Sequence, residues 1–124
     1  MIMPTVESLR PPTDTEIDAV EARLGRKLHP DYRAFLQGGG DVAKARFEAA
    51  VVLPGGGHLD LFAMLQRAHD DGVPRDWLPF VEDNGDYYCI TARGEIIYWS
   101  HNGSANERWP SLAAWHDQVC VRGR

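Results

Sequence analysis

The apolar residues change their spacing along the chain, and each change marks an element. Thr13-Asp14-Thr15-Glu16 fits a capping box, with Thr13 accepting from the Glu16 amide and the Glu16 side chain reaching back. Ile17, Val20 and Leu24 then recur at helical spacing, which sets Asp18, Glu21 and Arg23 toward water, and Gly25 is the natural stop. Pro30 suits the first turn of a second helix with a stripe of Tyr32, Phe35 and Leu36, ended by Gly38-Gly39-Gly40. The middle is less regular. Arg46 to Leu53 alternates loosely and reads as a strand, followed by a Pro54-Gly55-Gly56-Gly57 turn. His58-Leu59-Asp60-Leu61 reads as a strand that passes into a helix through Leu65.

From Trp77 the period becomes two. Trp77 to Val81 is a strand whose Pro79 demands an edge position or a bulge. Asp83-Asn84-Gly85-Asp86 is a turn, and Tyr87-Tyr88-Cys89-Ile90-Thr91 is aromatic and β-branched, with Tyr87 and Tyr88 on opposite faces. Arg93-Gly94 predicts a tight hairpin into Glu95-Ile96-Ile97-Tyr98-Trp99-Ser100. Pro110 opens a last helix with Leu112, Trp115, Val119 and Cys120 on one side. Helices, then an antiparallel meander, then a closing helix is an α+β layout in a single domain, residues 13–124, preceded by a lead-in segment at residues 1–12.

Composition narrows the function. At 124 residues the chain is one domain's worth, large enough to bury a core without staples. It has no apolar run long enough to span a bilayer, and Met1-Ile2-Met3-Pro4-Thr5 has no secretory character, so a cytoplasmic protein without membrane contact is expected. The net charge of −5 makes nucleic acid a poor partner. Cys89 and Cys120 lie in apolar segments and read as buried free thiols.

Several stretches together resemble the SMI1/KNR4 (SUKH) superfamily. The central one is Leu78-Pro79-Phe80-Val81-Glu82-Asp83-Asn84-Gly85-Asp86-Tyr87-Tyr88-Cys89-Ile90, an apolar-Pro-Phe strand, an acidic Gly-containing turn, then Asp, aromatics and Cys. Glu16-Ile17 to Leu24-Gly25 and Leu28-His29-Pro30-Asp31-Tyr32-Arg33-Ala34-Phe35-Leu36 look like its opening helices. Glu95 to His101 looks like its strand ending in an aromatic and a His, and Trp109 with Ser111 to Trp115 like its terminal helix. Residues 41–76 match only loosely. The resemblance implies an α+β domain that in bacteria serves as an immunity protein, binding and blocking a co-produced polymorphic toxin. Eukaryotic members are regulatory. It carries no catalytic constellation and no cofactor.

The charge pattern suggests where such a partner would sit. Asp70, Asp71, Asp76, Glu82, Asp83 and Asp86 against Arg75 carry the equivalent of the chain's whole net charge. A toxin acting on nucleic acid or nucleotides needs a basic cleft, which carboxylates can fill in place of phosphates. Those six acids and Trp77, as an exposed anchor beside Asp76, form the expected partner surface of a monomer, unless the acids are merely solvated turn residues.

Two alternatives are a regulatory adaptor using the same surface and a small metal-dependent hydrolase. The hydrolase would draw on His101, His116, Cys89 and Cys120, with Ser100 beside His101 as another nucleophile and base. Paired zinc-ligand spacings, a full calcium loop at Asp83–Asp86 and a phosphate-loop Lys are all lacking, so no metal or cofactor is expected.

Overall fold

A computed structural model describes residues 12–38, 48–49, 60–101 and 107–122. The lead-in (apart from Pro12), Gly39-Gly40, the Pro54–Gly57 turn and most of the Arg46–Leu53 strand lie outside the described residues. Helix α1 (Asp14–Leu24) carries the capping box: Thr13 Oγ1 accepts from Glu16 N at 3.2 Å and Glu16 Oε1 accepts from Thr13 N at 2.8 Å. Gly25 closes the helix in the left-handed region at φ 76°, its N–H donating to the Glu21 carbonyl.

Helix α2 (Pro30–Gln37) buries Tyr32, Phe35 and Leu36, and its cap is His29, whose Nδ1 accepts from Asp31 N. One expectation fails in α1. Glu21 turns inward, is buried, and accepts from the Leu28 amide at 2.9 Å while Arg33 lies 3.3 Å away. Arg33 also donates to Asp18 at 2.9 Å and Asp14 at 3.3 Å, so a single guanidinium ties α2 to three turns of α1.

The strand expected at His58–Leu61 is corrected for the residues described. Asp60 keeps a single β-bridge, as the strand expectation had it, but it is also the N-cap of α3 (Leu61–Asp71), accepting from Phe62 N and Ala63 N at 3.0 and 3.3 Å, so Leu61 is already helical. Leu61, Met64 and Ala68 are buried at i, i+3 and i+7, a helical stripe that outweighs the short alternation before it. The helix continues past Leu65 until Gly72 stops it at φ 108°.

The sheet is antiparallel throughout, in the order β1 (Glu48–Ala49), β2 (Leu78–Asp83), β3 (Asp86–Ile90), β4 (Ile96–Trp99), β5 (Arg108–Trp109). β5 pairs with Ile96 and Ile97 and was not legible in the sequence. Pro79 is accommodated by a bulge between Pro79 and Val81, and the Tyr32 hydroxyl donates to the Pro79 carbonyl at 2.7 Å in the core. The β2–β3 turn has positive φ at both Asn84 (52°) and Gly85 (89°), the geometry that Asn-Gly serves best. The β3–β4 loop is longer than a two-residue hairpin: Thr91 N donates to Glu95 O across Ala92-Arg93-Gly94, with Gly94 at φ 86°.

Side-chain alternation gives the sheet two covered faces. Tyr88 packs on Trp115, Trp109 and Tyr98, while its neighbour Tyr87 packs on Trp99 and donates to Asp71 of α3. Phe80 joins the first group, with ring centroids 5.0 Å from Trp115 and 5.2 Å from Phe35. The last helix is capped by Ser111. It runs as α4 (Leu112–Trp115) and then widens to π geometry over His116–Val121, with Arg122 N donating to Asp117 O five residues back. Neither cysteine is in a disulfide; Cys89 is buried, whereas Cys120 is only half-buried, which corrects the expectation for it.

Candidate functional site

The acidic segment folds into distinct settings, because it runs from the end of α3 through a loop and round the β2–β3 hairpin. Asp70 is exposed on α3 and accepts from Gln66 at 2.9 Å. Asp71, one residue on, accepts from the Tyr87 hydroxyl at 2.9 Å. Burial first, then this bond and the negative charges of Glu82 and Asp71, push the Tyr87 phenol well above its usual range. Glu82 stands opposite Tyr87 in the β2–β3 register and accepts from Arg67 at 2.7 Å. Asp71, Glu82, Arg67 and Tyr87 therefore form one polar layer between α3 and the sheet.

Asp86 sits one rung nearer the turn, on the Tyr88 face of the sheet. Its Oδ2 accepts from the Tyr98 hydroxyl at 2.6 Å; its Oδ1 accepts from His101 N at 3.0 Å and lies 2.6 Å from His101 Nδ1. A carboxylate can only accept, so Nδ1 carries the proton in that contact. Partial burial raises the Asp86 carboxyl, but the Tyr98 and His101 bonds outweigh it and hold it below the usual range.

Asp83 faces Asp86 directly across the strands. It is half-buried, and burial followed by the charge of Asp86 raises its carboxyl above the usual value. The two acids are thus driven apart, one stabilised as an anion and the other resisting it.

Asp76 is exposed in the loop that follows Gly72, where its carbonyl accepts from Arg26 at 3.2 Å. Trp77 is half-buried and packs against the core, so it is less available than an exposed anchor. The structure gathers Asp71 with Glu82 and Asp83 with Asp86, and leaves Asp70 and Asp76 outward on α3 and its following loop. Arg67, Tyr98 and His101 were not read from the sequence as partners of these acids. The register offered a signal for two of them: pairing Tyr88 with Tyr98 sets Tyr98 on the face of Asp86 and brings the chain after Trp99 alongside it.

The residues weighed for enzyme chemistry occupy other settings. Cys89 is fully buried, and burial raises its thiol far from the reactive thiolate form. Ser100 is buried beside His101, whose Nδ1 is committed to Asp86. His116 lies with Asp31 along the groove between α2 and α4. Among the described residues no three His, Cys, Asp or Glu side chains gather as metal ligands, and no helix is long and apolar enough to cross a membrane.

A family model described as SMI1-KNR4 cell-wall matches residues 2–121. The crystal structure of a protein from Pseudomonas syringae pv. tomato is similar over 94% of this chain and 88% of that one, with a TM-score of 0.81 at 28% identity. No curated protein matches the chain.

Proposed function

Since the chain belongs to the SMI1/KNR4 (SUKH) family, we propose that it is an immunity protein that binds a cognate bacterial toxin and neutralises it stoichiometrically. The observation that carries this reading is the family match across nearly the whole chain, because this family consists generally of non-catalytic immunity proteins that bind partner proteins. The mechanism needs no turnover. An inhibitor of this kind works by associating fast and releasing slowly.

The contact surface in this reading is acidic and meets a basic active-site cleft, as expected of a toxin that acts on nucleic acid or nucleotides. Asp70 and Asp76 offer the most accessible charge, with half-buried Asp83 beside them, because Asp71, Glu82 and Asp86 already accept from Tyr87, Arg67, and Tyr98 with His101. The three engaged acids hold the hairpin and α3 in place, and the outward acids steer the partner in. Trp77 contributes its exposed edge beside Asp76. The protein acts in this reading as a cytoplasmic monomer without metal or cofactor.

A tagged full-length chain used as bait in lysate of the native organism, with mass spectrometry of what co-elutes, tests the proposal. Stoichiometric recovery of one basic toxin-like domain supports it, and charge reversal at Asp76 and Asp83 then slows association several-fold. Recovery of host regulatory proteins in place of a toxin overturns it in favour of an adaptor.

A further inference from the structure

A cleft of about 350 Å³ lies between the α1–α2 connection and the adjoining ends of β2 and β3. Its floor is apolar: Leu28, Leu78 and Ile90 are all more than nine-tenths buried. Its rim is basic, formed by Arg26, Lys27 and His29. None of the described residues lining it is acidic, although acids outnumber Lys and Arg by eighteen to thirteen in the whole chain.

The rim groups are held in place, and among the described residues Arg26 has no carboxylate within ion-pair distance, while Lys27 pairs with Glu21 outside the cleft. Arg26 donates one N–H to the uncharged Asp76 carbonyl, which orients the guanidinium and leaves its charge uncancelled. Lys27 is almost fully exposed and only loosely tethered, 3.6 Å from Glu21. His29 uses Nδ1 to accept from Asp31 N, so in the neutral ring Nε2 carries the proton. That ring is wedged against Gly94, where an added Cβ would come within 2.5 Å of Nε2. One wall is therefore fixed in advance by a cap on one side and a glycine on the other. A concave apolar floor with Arg26 and Lys27 at its mouth has the make-up of a small-molecule site, and their sign selects anions.

We infer that this cleft binds a small amphipathic organic anion, an acidic group carried on a compact apolar body. The anionic group meets Arg26 and Lys27 at the rim, and the apolar body covers Leu28, Leu78 and Ile90. The site does not depend on the toxin-binding reading, and its test needs no toxin.

The test is titration of the full-length, isotopically labelled protein with naphthalene-2-sulfonate, followed by amide chemical shifts. Neutral naphthalene-2-methanol and inorganic sulfate serve as controls. Saturable shifts at Leu28, Ile90, Thr91 and Ala92 are expected, with roughly tenfold weaker binding for each control and for the R26A/K27A double variant, the size of losing charged hydrogen bonds. Ala92→Trp, which fills the cleft and keeps the cations, should abolish the shifts. Circular dichroism and thermal melting of each variant separate loss of the site from loss of the fold. The inference is overturned if the probe does not bind at millimolar concentration or shifts residues elsewhere. It is also overturned if the neutral analogue binds equally, or if either folded variant binds as the parent does.

Discussion

Asp83→Asn should make the free protein more stable while weakening its complex with the partner. Asp83 and Asp86 are directly opposed across the β2–β3 hairpin, and like charges in that relation destabilise a sheet by about 0.2–1 kcal/mol. Asp86 is locked as the anion by Tyr98 and His101, so Asp83 bears the repulsion, on top of its own partial burial. Asn keeps the shape, suits the turn, and removes the charge.

The gain is expected to raise the melting temperature by about 1–4 °C for a domain of this size. Its sign depends on pH. A carboxyl whose pKa is raised by folding binds its proton more tightly in the native state, so ionising it costs stability. That cost is absent below the unfolded value near about 3.9 and reaches its full size once the pH has risen through the folded value. Melting of wild type and variant at about pH 7 and about pH 3 should therefore show the gain only at the higher pH. A loss of stability at neutral pH, or an equal gain at both, would refute the electrostatic argument. Weaker partner binding by the same variant would identify a carboxylate kept for contact at the expense of stability.

Three further substitutions probe the scaffold beneath that surface. Asp86→Ala removes the acceptor of the half-buried Tyr98 hydroxyl and of the exposed His101, which outweighs the relief of the Asp83 repulsion, and should cost about 1–2 kcal/mol net in urea denaturation near neutral pH. Folding lowers the Asp86 carboxyl, so its contribution is complete above the unfolded value and is lost as pH falls through the folded one; the gap to wild type should close in acid. Tyr32→Phe removes the buried hydroxyl that donates to the Pro79 carbonyl at the bulge, for an expected loss of about 1–2 kcal/mol by the same assay. Gly94→Ala forces an L side chain to φ 86° and into the His29 ring, so a loss of about 2 kcal/mol or more in thermal melting is expected, against little effect of Ala92→Ser at the exposed position in the same loop.

The parts of the fold legible in the sequence are those set by local chemistry. The Thr13–Glu16 box, the Gly25 stop, the Asn84-Gly85 turn and the bulge at Pro79 each follow from what one or two residues require of the backbone. The misreadings arose where a distant partner decides. Leu61 reads as the end of an alternating strand because nothing local shows that the bridged Asp60 is also a cap until the stripe of Leu61, Met64 and Ala68 has a sheet to cover. Glu21 looked like a water-facing position because its partners, Leu28 N and Arg33, come from beyond the helix. β5 is two residues long and exists only through its pairing with β4, and the π geometry after Trp115 follows no 3.6-residue period. The acidic segment was legible as a run of charge, but its division into engaged and outward carboxylates was not, since Arg67, Tyr98 and His101 reach it only through the tertiary fold.

That division bears on how this scaffold would meet a protein partner. Binding is weakened by every group that must be ordered on association, at about 0.5–1.5 kcal/mol for each long side chain immobilised. Here the hairpin backbone is already fixed by strand pairing on both sides of β3, and beneath it by Tyr88 stacked on Tyr98, Trp109 and Trp115. Asp86 adds a tie from the turn to β4 and His101. The outward Asp70 and Asp76, and half-buried Asp83 at the hairpin turn, are attached to this rigid frame without belonging to its core. Substituting them changes the charge presented to a partner at little cost in folding, and at Asp83 with a gain. Substituting Asp71, Glu82 or Asp86 disturbs the frame itself. Retargeting of such a protein should therefore proceed through the first set and be blocked at the second, which is the order in which charge-altering variants should be tolerated when partner binding and melting temperature are measured side by side.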